Sequence, residues 1–198
     1  MSEHAKSVVF SREQIQATVE RLAGEITLWL EGTPAEGLDL VSILEGAKPF
    51  TRDLSAALKK RIPGLSIQVH EIRVKGTDGT TLLKDRQFQS PFPAAGKLGP
   101  HPLLIVDDLV DSGLTLKLLK KEMEGLKGGP VKTAVLIRKF GARSGDLDFC
   151  GFELDLDLKE LAVKGLKDHW LYGYGMDLNG GQRDLDHIGS VAIPTPGN

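Results

Sequence analysis

The stretch LLIVDDLVDSGLTL, residues 103–116, decides how this chain folds. Its first four residues are uninterrupted apolar, the pattern of a strand buried on both faces of a parallel sheet. A helical period follows the turn, with Leu116, Leu119, Met123 and Leu126 on one side and lysines on the other. LKGGP stops that helix, and residues 131–138 read as the next strand. Upstream the same alternation appears. LDLVSIL (38–44) reads as a strand, PFTRDLSAALKKRI (49–62) as a helix with Phe50, Leu54, Leu58 and Ile62 in phase, and residues 66–74 as a β-branched strand. Strand and helix in alternation predict an α/β fold, a parallel twisted sheet flanked by helices with right-handed crossovers.

Ser11 and Gln14 form a capping-box pattern. The helix it opens is expected to run to about Trp29, with Ile15, Val19, Leu22 and Ile26 on its apolar stripe. Residues 75–99 have weak periodicity, several glycines and two prolines, and read as a long functional loop. From Phe140 onward the chain is glycine-rich and reads as irregular.

The totals narrow the function. A chain of 198 residues, 40% hydrophobic, fills one domain. A net charge of -2 offers no global basic field, which argues against a nucleic-acid partner. One cysteine, Cys150, excludes an intrachain disulfide and any multi-cysteine metal site. The opening MSEHAKSVVFSREQ has no apolar core of signal-peptide length, and no apolar run approaches the roughly 20 residues that span a bilayer. The expectation is a cytoplasmic protein without a membrane partner.

The loop after the buried strand carries acids and an anion-binding turn together. In open α/β sheets ligands sit at the carboxyl ends of the strands. Asp111, Ser112, Gly113, Leu114 and Thr115 lead into a helix start, where free backbone N–H groups, two hydroxyls and the positive dipole end suit a phosphate monoester. Gly113 lets the backbone approach closely. No Lys-Ser/Thr pair of the P-loop kind is present, which argues against a triphosphate cradle. Asp107 and Asp108 repel a phosphate, so they face hydroxyls, a metal or developing positive charge. A ribose diol offers two donors to these acceptor-only groups. A sugar phosphate satisfies both halves of the loop, and carboxylates beside an oxocarbenium-like sugar stabilise its transition state. The plain alternative is a solvated loop in which Asp favours turn geometry.

LLIVDDLVDSGLTL resembles the phosphoribosyl-pyrophosphate signature of type I phosphoribosyltransferases. LVSILEGAKPFTRDL (40–54) is similar to that family's pyrophosphate loop and following helix. VLIRKFGARSGDLDFCGFEL (135–154) and HWLYGYGMDLNGGQRDLDHIG (169–189) look like the base-recognition segments of its hypoxanthine-guanine branch. The resemblance covers most of the chain from about Leu38 and keeps the order of segments. It implies transfer of a phosphoribosyl group from 5-phosphoribosyl 1-pyrophosphate to a 6-oxopurine, in a homodimer or homotetramer. It also implies a single domain over residues 1–198, with a core at about 36–140 and a small hood made of 141–198 plus the N-terminal helix.

By the same resemblance Asp107 and Asp108 hold the ribose diol, while Ser112, Gly113, Leu114 and Thr115 hold the 5-phosphate. Asp111 is the implied general base for the purine imidazole nitrogen. Lys139 meets the 6-oxo group, a contact that favours a carbonyl over adenine's amino group; otherwise it is a solvated lysine. Trp170 stacks on the base, Leu171 reads its edge through the backbone, and Leu109 packs on the opposite face. A tryptophan is otherwise most often core. Glu45 and Gly46 belong to the pyrophosphate loop, Asp177 helps to place Mg²⁺, and Arg183 meets pyrophosphate. An Arg183–Asp184 surface pair is the alternative for that arginine. Arg73, Lys75, Gly76 and Thr77 fall on the mobile loop.

Three departures stand out. Glu45 occupies a position where close relatives more often carry lysine or another residue, Gly76-Thr77 replaces a Ser-Tyr pair at the loop tip, and residues 154–167 are longer than the usual connection. The altered tip leaves two other functions to weigh. One is a regulatory protein that binds the same sugar phosphate, against which no helix-turn-helix or basic patch is visible. The other is an enzyme acting on xanthine or another base.

Overall fold

Leu103–Val110 forms a strand at the centre of the sheet, and its alternating side chains feed two separate cores. Leu104 and Val106 pack towards the N-terminal helix, whereas Leu103 and Ile105 pack towards the helix that follows the strand. All four are buried, as a strand covered on both faces requires. The computed structural model describes residues 7–33, 36–74, 88–89, 98, 101–127, 130–139, 147–154 and 166–194.

In chain order the described elements are β1 (Ser7–Phe10), α1 (Arg12–Glu31), β2 (Gly37–Leu44), α2 (Lys48–Arg61), β3 (Ser66–Val74), β4 (Phe88–Gln89), β5 (Leu103–Val110), α3 (Leu114–Lys127), β6 (Val131–Lys139), β7 (Phe149–Leu154), β8 (Leu166–Tyr172) and β9 (Ile188–Pro194). The larger sheet has the order β4-β3-β2-β5-β6-β7. Its β3, β2, β5, β6 and β7 run parallel, and β4 closes one edge antiparallel to β3. A smaller antiparallel sheet, β1-β9-β8, forms the hood.

The capping box at the start of α1 is formed. The Ser11 hydroxyl accepts the Gln14 backbone N–H, and the Gln14 side chain accepts the Ser11 N–H at 2.8 Å. Ile15, Val19, Leu22 and Ile26 of α1 and Phe50, Leu54 and Leu58 of α2 are buried together on one face of the large sheet. Leu116, Leu119 and Met123 of α3 are buried on the other. Leu126 differs from its expected place: it is 37% exposed and not part of that core. Buried polar groups on β2 are matched in pairs. His70 Nε2 lies 3.1 Å from Asp39 Oδ1, and the Ser42 and Thr51 hydroxyls are 2.8 Å apart.

Three expectations need correction. The acids Asp107 and Asp108 are part of β5 rather than of a loop behind it, since the ladder to β6 continues through Asp107, Leu109 and Val110. The region after Phe140 is not irregular: β7 extends the core sheet, and β8 and β9 pair over six positions. The boundary between core and hood moves accordingly. β7 belongs to the core, and α1 packs against α2 and β7 in the core, leaving only the N-terminal strand β1 to join the hood. The inserted stretch at 155–165 and nearly all of the 75–99 loop lie outside the described residues. No helix among the described residues is long and apolar enough to cross a membrane.

Candidate active site

The carboxyl end of β5 brings the two acids and the anion-binding turn into sequence. Asp107 is only 8% exposed and Asp108 is partly buried. The Asp107 carboxylate accepts the Asp108 backbone N–H at 3.0 Å. Burial pushes the Asp107 carboxyl well above the usual carboxylate range, and the adjacent Asp108 charge adds to the effect. Asp108 is raised as well, chiefly by burial, while a hydrogen bond with Asp107, backbone N–H groups and Arg183 pull against that rise. Acids whose ionised form burial disfavours are matched well by the hydroxyl donors of a ligand.

Immediately beyond, Asp111 and Ser112 are exposed and Gly113 has φ +72°. That backbone conformation is one that glycine adopts without cost, and it turns the chain into α3 at Leu114. The Gly113 carbonyl accepts the Lys117 N–H at 3.0 Å as the first helical turn closes. The head of α3 is a helix start, the kind of place where backbone N–H groups and the dipole favour an anion. Thr115 lies within that first turn.

A second turn, residues 45–47, links β2 to α2 and meets the acids directly. A Cβ on Gly46 would lie 1.9 Å from an Asp108 carboxylate oxygen, so any larger residue there would displace the Asp108 side chain. The Leu44–Glu45 peptide bond is cis. The Glu45 side chain accepts from Lys48 at 2.9 Å and pairs with Arg73 of β3. It is held below the usual carboxylate range, first by the Lys48 hydrogen bond and then by the Lys48, Arg73 and Arg183 charges. Lys75, Gly76 and Thr77 lie outside the described residues.

The end of β6, Leu109 of β5, the hood strand β8 and the segment that follows it supply the remaining groups. Lys139, the last residue of β6, is 8% exposed and donates to the His169 carbonyl at 3.0 Å, which ties the core sheet to β8. It is therefore not a solvated lysine. The next residue, Trp170, is 51% exposed and is not core, while Leu171 is buried. The Trp170 indole N–H donates to the Asp177 carbonyl at 2.6 Å. Leu109 packs on the first core from the β5 side. Asp177 accepts the Gly180 N–H at 3.0 Å and faces Arg183 Nε at 3.5 Å, so the ion-pair partner of Arg183 is Asp177 rather than Asp184. Arg183 also donates to the Gly175 carbonyl at 2.6 Å. One contact has no counterpart in the sequence reading: Tyr174 donates its hydroxyl to Asp53 of α2 at 2.7 Å. The Gly-Tyr-Gly run around it is the available signal.

An open groove of about 930 Å³ runs between α1, α2 and the 174–186 segment. Of the expected site residues only Arg183 borders it, so it lies beside the acid-and-turn site rather than over it.

The profile of the family described as phosphoribosyl transferase domain matches residues 11–159. The chain belongs to the phosphoribosyl transferase family. Within that family it is 30% identical over 195 residues to a hypoxanthine-guanine phosphoribosyltransferase of Mycobacterium avium, covering 94% of this chain and 85% of the relative. It is 27% identical to the Bacillus subtilis hypoxanthine-guanine phosphoribosyltransferase, covering 96% of this chain and 94% of that one. A solved hypoxanthine phosphoribosyl transferase of Trypanosoma cruzi superposes with a TM-score of 0.77 at 25% identity, over 99% of this chain and 94% of that one. The parallel sheet with flanking helices is thus the phosphoribosyl transferase fold, and the acids of β5 stand at its carboxyl edge.

Proposed function

We propose that this phosphoribosyl transferase moves the phosphoribosyl group of 5-phosphoribosyl 1-pyrophosphate onto hypoxanthine or guanine, releasing pyrophosphate and the nucleoside monophosphate. The observation that carries the reading is the Asp107–Asp108 pair, the first buried and the second partly so, followed closely by the left-handed Gly113 turn at the head of α3. Under this reading Asp107 and Asp108 accept from the ribose hydroxyls. Ser112, Gly113, Leu114 and Thr115 take the 5-phosphate through N–H and hydroxyl donors. Lys139 meets the 6-oxo group, Trp170 and Leu109 sandwich the base, and the Leu171 backbone reads its edge. Asp111 takes the proton of the imidazole nitrogen as the C–N bond forms and the bond from the anomeric carbon to pyrophosphate breaks. Gly46 and Arg183 receive the departing pyrophosphate.

The residues fit Mg²⁺ in its usual manner of binding. Asp177 is a single partly exposed carboxylate, and no group of three or more His, Cys, Asp or Glu side chains converges among the described residues. Mg²⁺ keeps several waters and takes few protein ligands when a diphosphate is present. Bound there it would neutralise charge on the leaving group. Self-association as a homodimer or homotetramer and residence in the cytoplasm belong to the same reading.

The direct test incubates purified protein with Mg²⁺, the activated sugar and hypoxanthine, guanine or xanthine in turn, and measures nucleotide formation. Product with hypoxanthine or guanine is expected. Product with xanthine alone would replace the base assignment, and sugar binding without turnover on any base would make the protein a regulator.

Glu45 gives a second expectation. Its carboxylate occupies Lys48 and Arg73, two cations beside the pyrophosphate turn, and opposes an incoming polyanion. Glu45→Gln is expected to lower KM for the activated sugar about threefold, the scale of a partly screened charge. A raised KM would mean that Glu45 serves instead by orienting Arg73.

A further inference from the structure

We infer that Asp53 and Tyr174 form a clasp that positions the pyrophosphate end of the site, an inference that rests on the phosphoribosyl-transfer reading above. Four observations converge. Tyr174 is buried in the first core, yet its backbone has φ +47°, a conformation that a bulky residue adopts only where its surroundings hold it. Its neighbours Gly173 and Gly175 also have positive φ, so the whole tripeptide is a sharp turn. The hydroxyl donates to Asp53 of α2 at 2.7 Å, across 121 residues of chain, and Asp53 is in turn held by Arg52 Nε at 2.7 Å. The turn also rests directly on the turn after β2: a Cβ on Gly175 would stand 2.1 Å from the Gly46 carbonyl and 2.8 Å from Pro49.

The groups that this turn carries explain its consequence. Tyr174 N–H donates to the Leu185 carbonyl at 2.9 Å and Gly175 N–H to the Arg183 carbonyl at 2.8 Å, while the Arg183 side chain donates back to the Gly175 carbonyl. Arg183 then pairs with Asp177. Fixing Tyr174 on α2 therefore fixes Arg183 and Asp177 relative to Gly46, and Gly46 is the residue packed against Asp108. The base-facing groups have a connection of their own, Lys139 to the His169 carbonyl, and meet the clasped segment only through the Trp170 indole N–H on the Asp177 carbonyl. Tyr174 and Asp53 touch no reacting atom, so they are positioning residues, and their influence falls mainly on the pyrophosphate end of the ligand.

The test is Tyr174→Phe, which keeps the ring and removes only the hydroxyl, together with Asp53→Ala at the partly exposed end of the contact on α2. Each is expected to raise KM for the activated sugar, and for pyrophosphate in the reverse reaction, roughly tenfold. KM for the purine should stay within about twofold and kcat should change little, as for binding lost equally in ground and transition states. Asp53→Asn keeps an oxygen acceptor and should restore values near those of the parent. The double variant should be no worse than either single one. Equal rises in both KM values, or failure of Asp53→Asn to recover, would reduce the pair to ordinary packing and overturn the inference. Should Tyr174→Phe not fold, Asp53→Ala and Asp53→Asn read the same split. A parent inactive with every base would refute the transfer reading itself, whereas an active parent with unchanged variants refutes only the clasp.

Discussion

Asp111→Asn is expected to lower kcat roughly 100- to 1,000-fold, the range typical of a lost general base, while the Kd for the activated sugar changes by less than about twofold. Asp111 is the first residue after β5 and is exposed, between the Asp107–Asp108 pair and the left-handed Gly113. Asparagine has the same shape and can make the same turn, so the N–H groups at the head of α3 keep their arrangement. The amide cannot take a proton from the imidazole nitrogen, however, and the purine must attack as a poorer nucleophile. Single-turnover kinetics with hypoxanthine and calorimetric titration with the sugar separate the two quantities. A parallel loss of sugar affinity would make Asp111 a ligand for the phosphoribosyl group and remove it from proton transfer.

Much of this arrangement is legible in the sequence because its signals are local. Ser11 and Gln14 announce the start of α1 within four residues, and the four-residue apolar run announces β5. Gly113 announces the turn. The signals that fail are those whose meaning depends on distant chain. Asp107 and Asp108 read as loop because ionisable residues are unexpected inside a sheet, yet the register with β6 carries the strand past them. β7 is hidden by Gly151, which weakens a strand reading in the sequence. In the fold a Cβ there would stand 2.4 Å from the Leu136 carbonyl of β6, so the neighbouring strand demands glycine. The hood sheet joins β1 at one end of the chain to β9 at the other, with Ser7 opposite Ser190, and no local period reports such a pairing. The contact of Tyr174 with Asp53 is equally non-local, and only the flanking glycines hint that the tyrosine sits in a turn.

Replacing Asp107 should make the unliganded protein more stable and the enzyme far worse. Burial and the neighbouring Asp108 raise the folded-state pKa of Asp107 above its unfolded value near 3.9. The folded chain then holds this proton more tightly than the unfolded chain does. By linkage, the associated stability is fully present below the unfolded pKa and is lost as pH rises through the folded one. Above the folded pKa the ionised carboxylate is thus a cost, accepted where the ribose hydroxyls are to be gripped. An asparagine side chain in its place has no charge to bury and keeps an oxygen to accept the Asp108 N–H that Asp107 now accepts. Each tenfold displacement of the proton equilibrium is worth about 1.4 kcal/mol, which for a chain of this size is roughly 3–6 °C in Tm. Asp107→Asn is therefore expected to raise the Tm of the free protein by several degrees at pH 7.5 and to leave a smaller gain at pH 4. Sugar affinity should fall roughly 10- to 100-fold, the scale of a lost charge-assisted hydrogen bond. Thermal unfolding at the two pH values, with and without the sugar, checks both halves. The sugar should stabilise the parent strongly and the variant little, so the order of Tm values should reverse when ligand is added. An unchanged order would separate the cost of burying this carboxylate from the work of holding the diol.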